Sequence, residues 1–246
     1  MPEKFPLALV TGGAHRLGRA FALALARQGY AIALHYHTSA ESAAATAAEI
    51  RALGVPVFPL QADLTSPAEI ESLFDKIDNL LADLQHSTFN VLVNSAALMP
   101  RGDVQSLTSA EFDAAIALNL RAPFLCSQQA ARRMQSGGLI VNISDIGAAK
   151  AWTGFPAYTV SKAGLESLTQ VLARALAPGI RVNAIAPGLV LPSDNMPAQE
   201  WERLVSRLPL KRPAAPEEIA SALEFLIKNE YITGQTIRID GGYSLI

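Results

Sequence analysis

The sequence predicts an α/β fold, a doubly wound parallel sheet of about seven strands in one domain. Three observations carry that expectation. Short apolar runs alternate with helix-length stretches along all 246 residues, the pattern of strands laid parallel with helices on both faces. The runs themselves, such as Leu-Ala-Leu-Val at 7–10 and Val-Leu-Val at 91–93, are apolar at every position, which marks strands buried on both sides. A glycine-containing turn, Thr11-Gly12-Gly13-Ala14-His15-Arg16-Leu17-Gly18, follows the first run and leads into a helical pattern. In such a sheet that is where a backbone loop can cradle phosphates.

Taken in order, strands are expected at 7–11, 31–35, 55–61, 89–94, 139–144, 181–186 and 236–240. Helices fill the intervals near 17–28, 40–53, 66–84, 108–135, 157–177 and 216–228. The Ala-rich stretch at 39–54 resembles low complexity, but its acidic residues, Ile50, Leu53 and the terminal Gly54 read as a helix with a glycine stop. No segment has linker composition and no repeat is visible, so residues 1–246 form one Rossmann-type domain. The longest irregular stretch runs from Pro187 to about Pro197, with a short helix after it. Long irregular segments in a compact domain are often functional, and residues 188–212 are read as the substrate loop.

Composition narrows the function classes. Half the residues are hydrophobic and 17% are charged, enough apolar content for a core on both faces of a sheet. A net charge of −2 and a pI near 6.1 give no electrostatic case for nucleic acid or an anionic membrane surface. The lone Cys126 has no partner for an internal disulfide, which favours a reducing compartment, and it reads as a small buried hydrophobe rather than a nucleophile. The N-terminal apolar run is too short for a signal sequence or a membrane span. A cytoplasmic, water-soluble protein acting on a small molecule is expected.

Cofactor choice is read at the end of the second strand, His35-Tyr36-His37-Thr38-Ser39. An NAD-selective site places a carboxylate there to hold the ribose 2′-hydroxyl. No Asp or Glu occurs between Gly18 and Glu41, so a 2′-phosphate meets no repulsion and NADP(H) is expected over NAD. Arg16 offers a cation, and His37 and Ser39 offer hydrogen bonds. His35 and His37 share a strand face, but nothing nearby completes a ligand set, and no metal is expected.

The chemistry is read farther along. The fifth strand ends in Asn142-Ile143-Ser144-Asp145, and thirteen residues after Asp145 stands Tyr158, followed at four by Lys162. On a helix, positions i and i+4 share a face. An ammonium beside a phenol stabilises phenolate and lowers its pKa, which makes the tyrosine a usable general acid for a carbonyl or imine being reduced by hydride.

These motifs resemble the short-chain dehydrogenase/reductase superfamily over essentially the whole chain. Gly12, Arg16 and Gly18 match its loop, with Arg16 where most members have a glycine, and Asp63 in Ala-Asp-Leu matches its adenine contact. Asn94-Ser95-Ala96-Ala97 is similar to its Asn-Asn-Ala-Gly, with Ala97 a departure. Asn119 matches the helix asparagine that helps anchor a water beside the lysine, and Pro187-Gly188 matches the turn before the substrate loop. The resemblance implies a hydride-transferring enzyme in which Lys162 also holds the nicotinamide ribose. By the same resemblance Leu17, Thr38, Leu64 and Val190 join the cofactor-binding set, and a homotetramer is expected.

The position that commonly carries a catalytic serine is Asp145 here. One reading has Asp145 share a proton with Tyr158 and deliver it to a ring nitrogen; the other makes it a turn cap after a strand. Asp145, His-Tyr-His-x-Ser and Arg-Leu-Gly together resemble the pteridine reductases, as do Gly188-Leu189, Asp194-Asn195-Met196-Pro197, Trp201 and Asp240-Gly241-Gly242-Tyr243-Ser244-Leu245. Those enzymes reduce biopterin- or folate-type rings with NADPH. Arg16, Met99, Asp145, Tyr158, Leu189 and Trp201 are then the substrate-facing candidates. Two departures stand out: Thr38 replaces a basic residue at the 2′-phosphate, and Leu98-Met99 occupies the place of a phenylalanine that stacks on the pterin. A carbonyl reductase acting on a 3-oxoacyl thioester or ketone is the alternative, and a non-catalytic NADP-binding sensor a third. Trp152 and Phe155 either line the pocket or pack in the core or an interface. Trp201 and Leu204 either cover the site or pack in the core, and Arg101 is a solvated loop arginine or an anion contact.

Overall fold

Every residue of β1, Leu7–Thr11, is buried, with alternate side chains serving two separate cores. Ala8 and Val10 point to one and Leu7 and Leu9 to the other, because successive side chains of a strand leave on opposite faces. The computed structural model describes residues 5–84, 88–193 and 196–246, so Asp194 and Asn195, quoted above for the family resemblance, lie outside the described residues. The strands β1, β2 (Ala31–Tyr36), β3 (Val57–Gln61), β4 (Phe89–Asn94), β5 (Gly138–Ile143), β6 (Ile180–Pro187) and β7 (Thr236–Ile239) form one sheet in the order β3-β2-β1-β4-β5-β6-β7. All pairings are parallel.

Helices α1 (Arg16–Arg27), α2 (Ala40–Ala52) and α8 (Pro216–Lys228) cover one face, and α3 (Pro67–Asp83), α5 (Ala122–Ala131) and α6 (Pro156–Leu176) the other. The chain reverses its direction of winding between β1 and β4, and in open α/β sheets ligands bind at the carboxyl ends of the strands at that switch. Among the described residues no helix is long and apolar enough to cross a membrane.

Boundaries fall within two residues of those expected, with one exception. The helix expected at 108–135 is three pieces: α4 (Ser109–Ile116), a π-helical turn at Ala117–Arg121, and α5. Pro123 has no N–H to return to the carbonyl of residue 119, and the fully buried Asn119 turns its side chain onto Leu98. Both widen the helix locally. The sheet also tolerates Pro59 inside β3 because β3 is an edge strand, where a missing N–H leaves no ladder bond unmade. After β6, helix α7 (Ala198–Arg207) lies within the expected substrate loop.

Polar side chains inside the sheet–helix interface are paired with one another. Asn94 Nδ2 donates to Asn142 Oδ1 at 2.9 Å and to Ser127 Oγ at 3.3 Å, and Asn142 Nδ2 donates to Thr169 Oγ1 at 2.9 Å. Removing one member of such a chain strands the others without water. Asn142→Ala is expected to cost about 2–4 kcal/mol of stability, seen as a lower urea midpoint. An unchanged midpoint would mean these bonds are worth no more than their exchange with water.

Candidate active site

The phosphate loop closes because two glycines let backbone meet backbone. Gly12 has φ +63°, and a Cβ there would lie 2.9 Å from Ala96 Cα. A Cβ on Gly18, at the first turn of α1, would lie 2.0 Å from the Gly12 carbonyl oxygen. Thr11 Oγ1 accepts the N–H groups of Ser95 (2.9 Å) and Ala96 (3.1 Å), tying the end of β4 to the loop. Beside this seam runs a cavity of about 690 Å³. It extends from Gly12 and residues 14–18 past the ends of β2 and β3, at 35–39 and 63–65, to 95–99, 143–145, Tyr158, Lys162, Pro187, Gly188, Val190 and Leu191.

A glycine-lined cradle with a helix N-terminus behind it fits a pyrophosphate. The stretch at 36–39, facing the far end of the cavity, carries no carboxylate. At the end of β3, the Asp63 carboxylate accepts from Thr65 N and Thr65 Oγ1, both at 2.8 Å. Those bonds hold its pKa below the usual carboxylate value.

At the other end stand the catalytic candidates. Tyr158 Oη donates to Asp145 Oδ2 at 2.9 Å, and Asp145 Oδ1 accepts the Gly147 N–H at 2.6 Å. One oxygen of Asp145 thus caps the turn after β5 and the other faces the phenol. Lys162 Nζ donates to the Ile143 carbonyl at 2.7 Å and lies 5.7 Å from the centre of the Tyr158 ring. Ser144 Oγ donates to Glu166 Oε1 at 3.0 Å.

Burial dominates the electrostatics. It pushes the Asp145 carboxyl up, opposed by the Gly147 amide, the Tyr158 hydroxyl and the Lys162 ammonium, while Glu166 adds to the upward push. Burial, then the charge of Asp145 and its hydrogen bond, hold Tyr158 well above the ordinary value of 10. Lys162 is lowered to about 8 by burial, with Asp145 opposing. The expected lowering of the tyrosine by its lysine is thus corrected. Loss of water around the phenol outweighs an ammonium that is itself desolvated and bonded elsewhere.

Several other candidates lie off the cavity wall or bond elsewhere in the protein. Asn94 is not on the cavity wall, because its amide is consumed by Asn142 and Ser127 inside the sheet. Asn119 does not reach it either: Oδ1 accepts from Leu98 N, and Nδ2 donates to Leu98 O and Ser161 Oγ, so its side chain positions Leu98 against α6. Leu189 and Trp201 stay off the wall, where Val190 and Leu191 stand instead. The Leu189 carbonyl is turned to the Ala214 N–H, and Trp201 is half-buried on α7.

Arg16, at φ +51°, lines the cavity, but its Nη2 donates to the carbonyls of Leu191 (3.1 Å) and Pro192 (2.9 Å). Those bonds join the loop after β6 to the phosphate loop. Met99 stands at the rim, 45% exposed. Trp152 packs edge-on to Phe155 and tilted on Tyr243, off the cavity wall. Arg101 pairs with Glu200 at 2.9 Å over the Phe155 ring. Cys126 is fully buried with its thiol pushed up to about 12 by desolvation, which leaves it inert.

Sequence reasoning missed His35. Its Nδ1 accepts the Gly12 N–H and its Nε2 lies against the Ala62 carbonyl, both at 3.0 Å. Both ring nitrogens are thereby engaged, which removes it from any metal site. Only the register of β2 beside β1 places it under the loop.

A family model described as enoyl-(acyl carrier protein) reductase matches residues 12–244. The 3-oxoacyl-[acyl-carrier-protein] reductase FabG of Staphylococcus aureus is 36% identical over 242 residues, 96% of each chain. Among solved structures, FolM alternative dihydrofolate reductase 1 of Brucella canis, complexed with NADP, superposes with a TM-score of 0.90 and 36% identity. That likeness covers 98% of this chain and 94% of the other. This chain belongs to the short-chain dehydrogenase/reductase superfamily. A superfamily member from Burkholderia cenocepacia, also in complex with NADP, matches at TM-score 0.89 and 33% identity over 98% of both chains. The protein is an NADP(H)-dependent reductase of this superfamily.

His35 yields a pH prediction. Burial lowers it from 6.5 to about 4; the bond to Ala62 and the charge of Asp63 oppose this, and His37 adds to it. The folded state therefore prefers the neutral ring. The stabilisation is complete above pH 6.5 and is lost as pH falls toward 4, an effect of about 3 kcal/mol at most. Between those limits the urea midpoint should drop more steeply for the wild type than for His35→Asn. Parallel curves would refute a neutral, buried His35.

Proposed function

We propose that this reductase acts on pterin-like rings of the dihydrobiopterin or dihydrofolate type. The observation that carries the reading is the 2.9 Å bond from Tyr158 to Asp145. A serine hydroxyl at position 145 would be suited to polarising a ketone oxygen, whereas a carboxyl pushed up by burial is suited to protonating a ring nitrogen. The 36% identity to a protein named as an alternative dihydrofolate reductase, along 98% of the chain, supports the same reading.

Bound NADPH supplies the hydride. Asp145 takes up a proton more readily than an ordinary aspartate and gives it to the ring nitrogen next to the carbon being reduced. The phenol of Tyr158, held well above 10, remains protonated, and with the Gly147 N–H it stabilises the carboxylate left behind. Lys162 Nζ, fixed on the Ile143 carbonyl, holds positive charge beside the pair and orients the ribose. Gly12, Leu17, Gly18, Ser95, Ala96, Pro187, Gly188 and Val190 line the dinucleotide's path, and His37, Thr38, Ser39, Asp63 and Leu64 its adenosine end. Arg16, Met99, Asp145 and Tyr158 face the substrate.

A second reading, reduction of a 3-oxoacyl thioester, is favoured by the equal identity to FabG and by Leu98-Met99, which offer a ring no aromatic partner. NADPH oxidation should be followed at 340 nm with dihydrobiopterin, dihydrofolate, an acetoacetyl thioester and simple ketones. Pterin turnover that falls about 10²-fold or more in Asp145→Asn is expected for a lost proton donor. Turnover of the thioester or ketones alone would assign the second reading and leave Asp145 as a turn cap.

A homotetramer is part of the proposal. Val160 and Val171 on α6 are 51% and 61% exposed, and Phe124 on α5 is 41% exposed, apolar groups that a partner subunit would cover. Sedimentation equilibrium is expected near four times the 26.1 kDa chain mass; a monomer mass would overturn this part.

A further inference from the structure

Three segments far apart in sequence wall the adenosine half of the cleft: the loop at 12–18, the end of β2, and residues 63–65 just after β3. One side chain joins them. The His35 ring, 2% exposed, accepts from Gly12 N at Nδ1 and contacts the Ala62 carbonyl through Nε2. A carbonyl can only accept, so Nε2 carries the ring proton and Nδ1 keeps its lone pair for Gly12. The His35 carbonyl also accepts the Gly13 N–H at 2.9 Å. The first two glycine N–H groups of the phosphate loop are thus spent on β2, and a pyrophosphate must be held by groups farther along the loop.

We propose that His35 is a positioning residue for NADP(H): its ring braces Gly12 against Ala62 and so sets the phosphate loop before the cofactor arrives. The inference requires only NADP(H) binding and is independent of whether the substrate is a pterin or a ketone.

Three replacements separate the two bonds. Asparagine sets an amide oxygen near the position of Nδ1 and can accept from Gly12. Glutamine reaches toward Nε2 and can donate to Ala62 without serving Gly12. Leucine makes neither bond. NADPH dissociation constants, read by cofactor fluorescence on variants with native circular dichroism, are expected within about threefold of wild type for His35→Asn. For His35→Gln and His35→Leu they should rise about tenfold, the scale of one lost hydrogen bond to a binding loop. The kcat at saturating NADPH should move by no more than about twofold in all three, since the ring touches no reacting atom. Wild-type affinity in His35→Leu overturns the proposal, as does equal weakening in His35→Asn and His35→Gln, or a fall in kcat without a change in affinity. If His35→Leu does not fold, the comparison of His35→Asn with His35→Gln decides.

Discussion

A parallel sheet covered by helices on both faces leaves its own backbone only one polar outlet, the ends of the strands. Everything chemical in this protein is arranged around that constraint. β1, β2, β4, β5 and β6 are too deeply buried along their length to host a charged group unpaired. Charge and hydrogen-bonding capacity therefore collect where β1 and β4 part company and the covering helices diverge. The glycines at 12 and 18 matter because they let the loop after β1 lie against the start of α1 and the residues after β4. The crevice is then lined by backbone rather than by bulky side chains.

The same burial governs the ionisable groups that remain. Asp145, Tyr158 and Lys162 sit together under little solvent, and each is shifted toward its neutral form. Three such neighbours titrate as a unit. Hydrogen bonds to Gly147 and Ile143 fix two of them in place. The geometry thus combines a proton-accepting carboxyl, a phenol that stays protonated, and a cation close to losing its charge, which together suit proton delivery accompanying hydride transfer. His35 follows the same rule at the far end of the cleft, where burial keeps the ring neutral and leaves one nitrogen free to accept from the phosphate loop.

Where sequence reading succeeded, the signal was local. The continuous apolar runs, the turn at 11–18 and the spacing from Tyr158 to Lys162 each follow from one stretch of chain and its period, and the sheet, the cleft and the i, i+4 pair stand where those patterns put them. Where a side chain's partners could not be read from the sequence, the deciding partner was distant. Asn94 reads as a cofactor contact and Asn119 as a catalytic residue that anchors a water; in the structure their amides bond Asn142 and Leu98. Arg16 reads as a phosphate ligand, yet the loop after β6 lies within reach of its guanidinium. Leu189 was placed by resemblance, and its carbonyl is turned to the Ala214 N–H.

The sequence by itself determined the layered α/β fold, a glycine-lined cleft, the absence of a carboxylate at the end of β2 and the pairing of Tyr158 with Lys162. All of these depend on the order of residue types along one element. Tertiary structure alone decided which polar side chains face the cleft and which are spent inside the protein, and in which direction each pKa moves. It also decided that a histidine on β2 holds the phosphate loop. Those outcomes depend on strand register and on the water excluded when distant segments meet, and neither is written in any single stretch of the chain.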